Sequence, residues 1–357
     1  MIDNLFPHQT TVHPRWLGHQ SRITLLLDLG TAKSASTILR KAGLASLQLQ
    51  LNLGDQCSVA TGQESVFFFS SPSKSDDVFR QDGQKVVGAG ADKTARILDL
   101  GANGAPAQQV AAHDAPIRSV RFFDAPNTNA PMVVTGSWDR TVEFWDLRLA
   151  TPAAQLALPE WVYALDARNK LLVVVTADRQ NHFVNLEHWG AIWRTRQSPL
   201  NHQSRVVTCF LDGSGFALGS IEGRVSFQYT SDQDHSNKSY SFKCHRQKDK
   251  PTDNVTNVWT INDISVHPIH GTFSTCGSDG TFQFWDNETK CRLNLYPGVE
   301  GQISATAFNM NGKLFAYAVS YDWSKGYLFN TPDLPNKIML HPVVEDDCKP
   351  RQIIGRR

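Results

Sequence analysis

The chain has 357 residues, a formal net charge of +1, 41% hydrophobic residues and 19% charged ones. That balance supplies a buried core and argues against disorder. Near-neutral charge removes any general case for nucleic-acid binding and leaves room only for a local basic patch. Six cysteines are scattered without a CxxC pair, so neither a disulfide framework nor a zinc site is indicated. No apolar run reaches the roughly 18 residues of a membrane span. "ITLLLDLG" (Ile23–Gly30) is too short and too late for a signal peptide, and the chain reads as soluble and intracellular.

In chain order, residues 1–77 show no repeat. "TAKSASTILRKAGLASLQLQLNLG" (Thr31–Gly54) looks partly helical in its first half, and "SVFFFSSPSKSDD" (Ser65–Asp77) is an apolar run before a polar turn. From Val78 onward six segments share one grammar: an apolar strand, a small-residue strand, a turn with Asp or Glu, then an apolar strand. The turn acids are Asp92, Asp139, Asp178, Glu222, Asp279 and Asp322. A period of about 40–45 residues with Gly-Ser-x-Asp and Trp-Asp marks is the WD40 β-propeller pattern. The fold expected is all-β, with seven blades as the usual closed number and six recognisable here. The domain division is 1–77 as an N-terminal segment, 78–340 as the propeller and 341–357 as a basic tail.

The first blade is the gap in this reading. The outer strand that should precede Lys85 is not evident. Two explanations stay open: a first blade diverged beyond recognition, or an anomalous segment such as a misread or retained non-coding stretch. The abruptness of the change favours the second.

Within the best repeat, His113, Thr135, Asp139 and Trp145 have the types and order of a hydrogen-bonded tetrad, which reads as structural. "SYDWSKG" (Ser320–Gly326) departs from the grammar, because Asp precedes Trp and no Trp-Asp closes the strand. Asp322 keeps the turn-capping role, Trp323 moves to the rim and Lys325 adds a cation beside it. No catalytic group stands out. "GAGADKT" (Gly88–Thr94) lacks the Gly-Lys-Thr ending of a phosphate loop and precedes a strand. "HPIH" (His267–His270) has too few companion ligands for a metal and reads as a turn. The expectation is no enzyme, no cofactor and no metal.

Longer stretches carry a family resemblance. They include "AQQVAAHDAPIRSVRFFDAPNTNAPMVVTGSWDRTVEFWDLR" (Ala107–Arg148), "GFALGSIEGRVSFQY" (Gly215–Tyr229), "FKCHR" (Phe242–Arg246), "FNMNGKLFAYAVSYDWSKG" (Phe308–Gly326) and "EDDCKPR" (Glu345–Arg351). Together they resemble the nuclear-pore-associated messenger-RNA export factors of the WD40 class (the Rae/Gle family), whose sister is the kinetochore checkpoint propeller. The resemblance implies an adaptor that holds an acidic, partly apolar GLEBS-type segment of a nucleoporin and supports mRNA export. It places the protein in the nucleus, at the nuclear envelope and pore complex, with some in the cytoplasm. The alternative is a mitotic checkpoint adaptor docking kinase segments, with checkpoint or spindle proteins as partners.

The resemblance also implies site residues. Arg224 matches the family arginine that pairs with a motif glutamate, a task suited to a planar guanidinium fork. Phe242 and Trp285 match rim positions, with Lys290 beside them. Lys243, His245, Arg246, Lys248 and Lys250, from "KCHRQKDK", are candidates for contact with RNA phosphates, against the simpler reading of a solvated loop.

Overall fold

The computed structural model describes residues 74–80, 85–99, 107–125, 130–248, 255–331 and 333–351. Six antiparallel sheets follow one another along the chain. Blade 1 is β1 (Lys74–Phe79), β2 (Lys85–Gly90), β3 (Thr94–Asp99) and β4 (Gln108–Ala112). Blade 2 is β5 (Ile117–Ala125), β6 (Ala130–Ser137), β7 (Thr141–Asp146) and β8 (Ala154–Ala157). Blade 3 is β9 (Val162–Arg168), β10 (Leu171–Thr176), β11 (Gln180–Asn185) and β12 (Ile192–Gln197).

Blade 4 is β13 (Ser204–Cys209), β14 (Gly215–Ser220), β15 (Arg224–Tyr229) and β16 (Tyr240–Lys243), with helix α1 (Asp232–Lys238) between its last two strands. A two-stranded ribbon, β17 (Arg246–Gln247) and β18 (Asn257–Val258), leads into blade 5. Blade 5 is β19 (Ile261–Val266), β20 (Phe273–Gly277), β21 (Phe282–Asp286) and β22 (Cys291–Tyr296). Blade 6 has three described strands, β23 (Ile303–Phe308), β24 (Leu314–Val319) and β25 (Lys337–Pro342), followed by the short helix α2 (Glu345–Cys348).

The first strands β1, β5, β9, β13, β19 and β23 pack in succession, so they form the inner wall of a six-bladed propeller arrangement. The core lies between blades. Each of five buried clusters is shared by two neighbours, such as Val142, Phe144, Leu165 and Leu172 between blades 2 and 3. No blade could bury these faces alone, which is why the repeat stacks. The small-residue strand has a steric cause. A Cβ on Gly136 would lie 2.6 Å from Leu165, and one on Gly219 would lie 2.7 Å from Val206 and 2.9 Å from Ile261. A larger residue there would push away the next blade's inner strand.

The turn acids act as the sequence reading describes in five blades. Asp92, Asp139, Asp178, Asp279 and Asp322 each accept the backbone N–H two residues on, at 2.9–3.3 Å. This is the Asx-turn geometry that shapes a tight connection. Glu222 differs: its longer carboxylate pairs with Arg224 at 3.5 Å and His202 at 3.7 Å.

Two expectations about the strands need correction. A strand does precede Lys85: Lys74–Phe79 pairs with β2, and it is an inner strand, not an outer one. Its sequence KSDDVF has too few apolar residues to announce itself. In blade 6 the strand after "SYDWSKG" is not formed by Tyr327–Phe329, which make a 3₁₀ turn; the partner of β24 is Lys337–Pro342. The expectation for residues 1–77 is tested only at 74–77, which form the start of β1; the seventh blade and the two explanations otherwise fall on residues 1–73, outside the described residues.

Inner strands are joined by specific bonds. Arg121 of β5 donates to Asp166 of β9 at 2.7 Å, and Asp166 accepts the Cys209 amide of β13 at 2.7 Å. Asp263 of β19 accepts the Thr306 amide of β23 at 2.7 Å. Arg205 of β13 reaches past blade 5 to donate to the Asp322 carbonyl at 2.6 Å.

Candidate partner-binding surface

Blade 2 holds the network around His113. Trp145 Nε1 donates to Thr135 Oγ1 at 2.9 Å, and His113 Nε2 lies 2.7 Å from the same oxygen. His113 Nδ1 sits 2.8 Å from Asp139. Since a carboxylate only accepts, Nδ1 carries the proton and Nε2 takes the Thr135 hydroxyl proton. Burial pushes the Asp139 carboxyl up, but hydrogen bonds from Thr141 and His113 outweigh it and hold the group below its ordinary value. These groups are buried and mutually satisfied, and they tie the loop before β5 to the blade.

Blade 5 repeats the arrangement with His245, Thr275, Asp279 and Trp285. His245 Nδ1 is 2.9 Å from Asp279, His245 Nε2 is 2.9 Å from Thr275 Oγ1, and Trp285 Nε1 donates to Thr275 at 3.0 Å. This corrects the expectation for His245. Its side chain is fully enclosed and both ring nitrogens are engaged, so it offers nothing to an RNA phosphate. Arg246 is also committed inward, donating to the Glu222 carbonyl at 2.6 Å and bracing the turn before β15. Lys243 and Lys248 are exposed, and Lys250 lies outside the described residues.

The four residues assigned to partner binding divide into two groups. Phe242 packs on Trp285 with ring centroids 4.6 Å apart, at the outer edge between blades 4 and 5. Lys290 lies there too, with its ammonium 4.6 Å from the centre of the Tyr240 ring. Arg224 is elsewhere. It starts β15 opposite Lys243, while Phe242 is one residue along β16, and successive strand residues face opposite sides. Lys290 follows β21 at its far end, so it and Arg224 mark opposite ends of the blades. The Arg224 Nε is buried without a hydrogen-bond partner, and only Glu222, at 3.5 Å, is paired with it.

On Arg224's side, the turns and inter-blade loops present a surface that the sequence reading largely missed. Trp138 (37% exposed), Trp161 (42%), Ile221 (39%) and Trp323 (46%) all project there. Trp138 and Trp161, from neighbouring blades, stack at 6.0 Å with an angle of 24° between ring planes. Trp323 holds a left-handed backbone (φ 61°), a costly conformation for a large side chain. Its loop is stapled from below: the Tyr321 hydroxyl accepts the Lys325 N–H and donates to the Gly326 carbonyl, both at 3.0 Å. Lys325 itself sits over Phe329 at 5.8 Å. The signal for Trp138 was available, since a Trp in the tight turn of "GSWD" has no room inside it. Among the described residues no group of His, Cys, Asp or Glu is placed to hold a metal ion, and no helix is long and apolar enough to cross a membrane.

Comparison with known proteins fits this architecture. The family model "WD domain, G-beta repeat" matches residues 104–146 and 238–286, the two segments that close on Trp145-Asp146 and Trp285-Asp286. The chain is 57% identical over 279 residues to the mRNA export factor GLE2 of Chaetomium thermophilum, covering 78% of this chain and 76% of that protein. It is 46% identical over 324 residues to the WD40 repeat protein poxJ of Penicillium oxalicum, covering 90% and 93%. Against the poly(A)+ RNA export protein of Schizosaccharomyces pombe it is 49% identical, covering 77% and 76%. With identities this high over three quarters of both chains, this protein belongs to the WD40-repeat family of mRNA export factors.

Proposed function

We propose that this chain is a non-enzymatic adaptor that supports export of messenger RNA by docking an acidic, partly apolar GLEBS-type segment of a nucleoporin at the nuclear pore. Family membership supports the export role. The observation that carries the docking role is the exposed apolar surface of Trp138, Trp161, Ile221 and Trp323 on the same side as Arg224. Exposed Trp beside an incompletely satisfied Arg is the composition of an interface anchor. The Arg224 side chain is about a third exposed (35%), and the open part of its planar fork can meet a partner carboxylate. A segment running over the edge of blade 4 meets Phe242, Trp285 and Lys290 next. Lys243 and Lys248, both exposed, are positioned for RNA phosphate.

The test is titration with a GLEBS-type nucleoporin peptide. Arg224→Asp weakens binding by about tenfold or more while the propeller stays folded. Equal affinity for wild type and variant removes Arg224 from the site. Affinity capture that recovers kinases and no nucleoporin overturns this reading in favour of a checkpoint adaptor.

A further inference from the structure

The chain after β25 folds back from blade 6 onto blade 5. The Val343 amide donates to the Lys313 carbonyl at 2.9 Å, and Cys348 is buried with Phe282, Phe284 and Phe315. Thr272 donates to the Cys348 carbonyl and Asn294 to the Asp347 carboxylate, both at 2.8 Å. The segment reaches the far end of blade 5, where the Arg351 amide donates to Asp286 at 3.1 Å. The Arg351 guanidinium reaches the Arg292 carbonyl at 3.3 Å.

Asp286 is also the acid that shapes the turn carrying Lys290. It accepts the Glu288 amide at 3.0 Å and the Thr289 hydroxyl at 2.7 Å. Lys290 then adopts a left-handed backbone (φ 56°) that places its ammonium over Tyr240. Blade 2 solves the same problem differently. There Asp146 is clamped within its own turn by Arg148, through the amide at 3.0 Å, Nε at 2.9 Å and Nη2 at 2.6 Å. Blade 5 has Glu288 at the corresponding place, which cannot donate from its side chain. A distant part of the chain supplies the missing donor.

We propose that the segment leading to Arg351 is a positioning element of the outer edge between blades 4 and 5: the Arg351 amide completes the donors around Asp286 that hold the Lys290 turn. Seating of this segment and docking against Phe242, Trp285 and Lys290 are therefore coupled. Arg351 acts through Asp286 and the turn, not by touching the docked segment. This rests on the docking reading above for its affinity arm alone.

The experiment uses the full chain in four forms: wild type, Arg351→Ala, Arg351→Pro, and Arg351→Pro with Glu288→Arg. Alanine keeps the amide donor, proline removes it, and Glu288→Arg installs the in-turn clamp of blade 2. Hydrogen exchange of the Thr289–Cys291 amides is read without ligand, and affinity is read with the same nucleoporin peptide. The proline variant exchanges about tenfold faster and docks several-fold more weakly, the alanine variant exchanges like wild type, and the double variant recovers both. A purely structural role for the segment would lower the melting temperature without rescue by Glu288→Arg. Unchanged exchange in Arg351→Pro, or no rescue, overturns the coupling while leaving peptide binding to wild type intact. Failure of wild type to bind the peptide overturns the docking reading and the affinity half of the coupling, and the exchange arm still decides whether the segment holds the turn.

Discussion

Blades 2 and 5 carry the same four-residue network in different surroundings. In blade 2, Trp145 is almost wholly buried, and the network ends in a sealed sheet. In blade 5, Trp285 keeps its indole N–H on Thr275 but leaves one ring face for Phe242 at the rim. A second difference lies beside the histidines. Blade 2 has Glu143, with one carboxylate oxygen buried and unbonded, 3.5 Å from His113; the register position in blade 5 is the neutral Gln283. One scaffold thus holds a copy of the motif with an unbonded buried carboxylate oxygen beside it and a copy without one, and the second lies at the outer edge with Phe242.

The largest break in this comparison comes from removing the acid of either network. Asp139→Ala and Asp279→Ala should each cost about 3 kcal/mol, because each leaves a buried histidine and nearby donors unpaired. Urea midpoints read the loss, and a cost near zero for Asp279→Ala would show that blade 5 does not depend on its network. Both acids sit below the ordinary carboxylate value despite burial, held there by histidine and threonine donors. Their contribution is present above the unfolded value of about 4 and is lost as the pH falls below it. Acid titration of stability should therefore flatten in either variant.

Next in size, Trp145→Phe and Trp285→Phe each remove one indole N–H bond, worth about 1 kcal/mol. Thermal melts should show similar losses, whereas peptide affinity should fall only for Trp285→Phe. A matching fall for Trp145→Phe would erase the functional difference between the blades.

Glu143→Gln makes blade 2 resemble blade 5. Burial raises the Glu143 pKa, so its folded form holds a proton more readily than its unfolded form. The group therefore favours folding below its unfolded value and weighs against it as the pH rises through its folded value. The substitution should stabilise by about 1 kcal/mol at pH 7 and by little below about pH 4.5. A gain that persists unchanged in acid would contradict this account. The smallest effect is Lys290→Ala, which loses a cation–π contact of about 0.5 kcal/mol at an exposed site; its melt should barely move while docking weakens.

The parts legible in the sequence were those set by local chemistry. Turn acids, small residues under the next inner strand and the His113 network are each tied to one residue type, so they leave a mark at fixed spacing. Strand β1 left none, because KSDDVF reads as a polar turn and gains its conformation from pairing with β2. Strand β25 was hidden by the connection over residues 320–336, which carries it far from β24 in sequence. His245 was misread for a related reason. Among lysines and arginines it looks like part of a basic patch, and only its long-range bond to Asp279 reveals an enclosed ring. Arg224 and Phe242 were grouped because the family resemblance implies one binding rim for both, although strand alternation turns them to opposite sides. The role of Arg351 had no local signal at all, since the missing donor is visible only when blades 2 and 5 are laid side by side.

The bond from Arg205 to the Asp322 carbonyl has a mechanical meaning. Blades 4 and 5 are linked through Thr208 and the Ile264 carbonyl, blades 5 and 6 through Asp263 and Thr306, and blades 4 and 6 directly through Arg205. Three bodies joined in pairs form a triangulated frame, which cannot shear without breaking a member. The Phe242–Trp285 contact lies between two members of that triangle, blades 4 and 5, so this outer edge is a braced wall rather than a hinge.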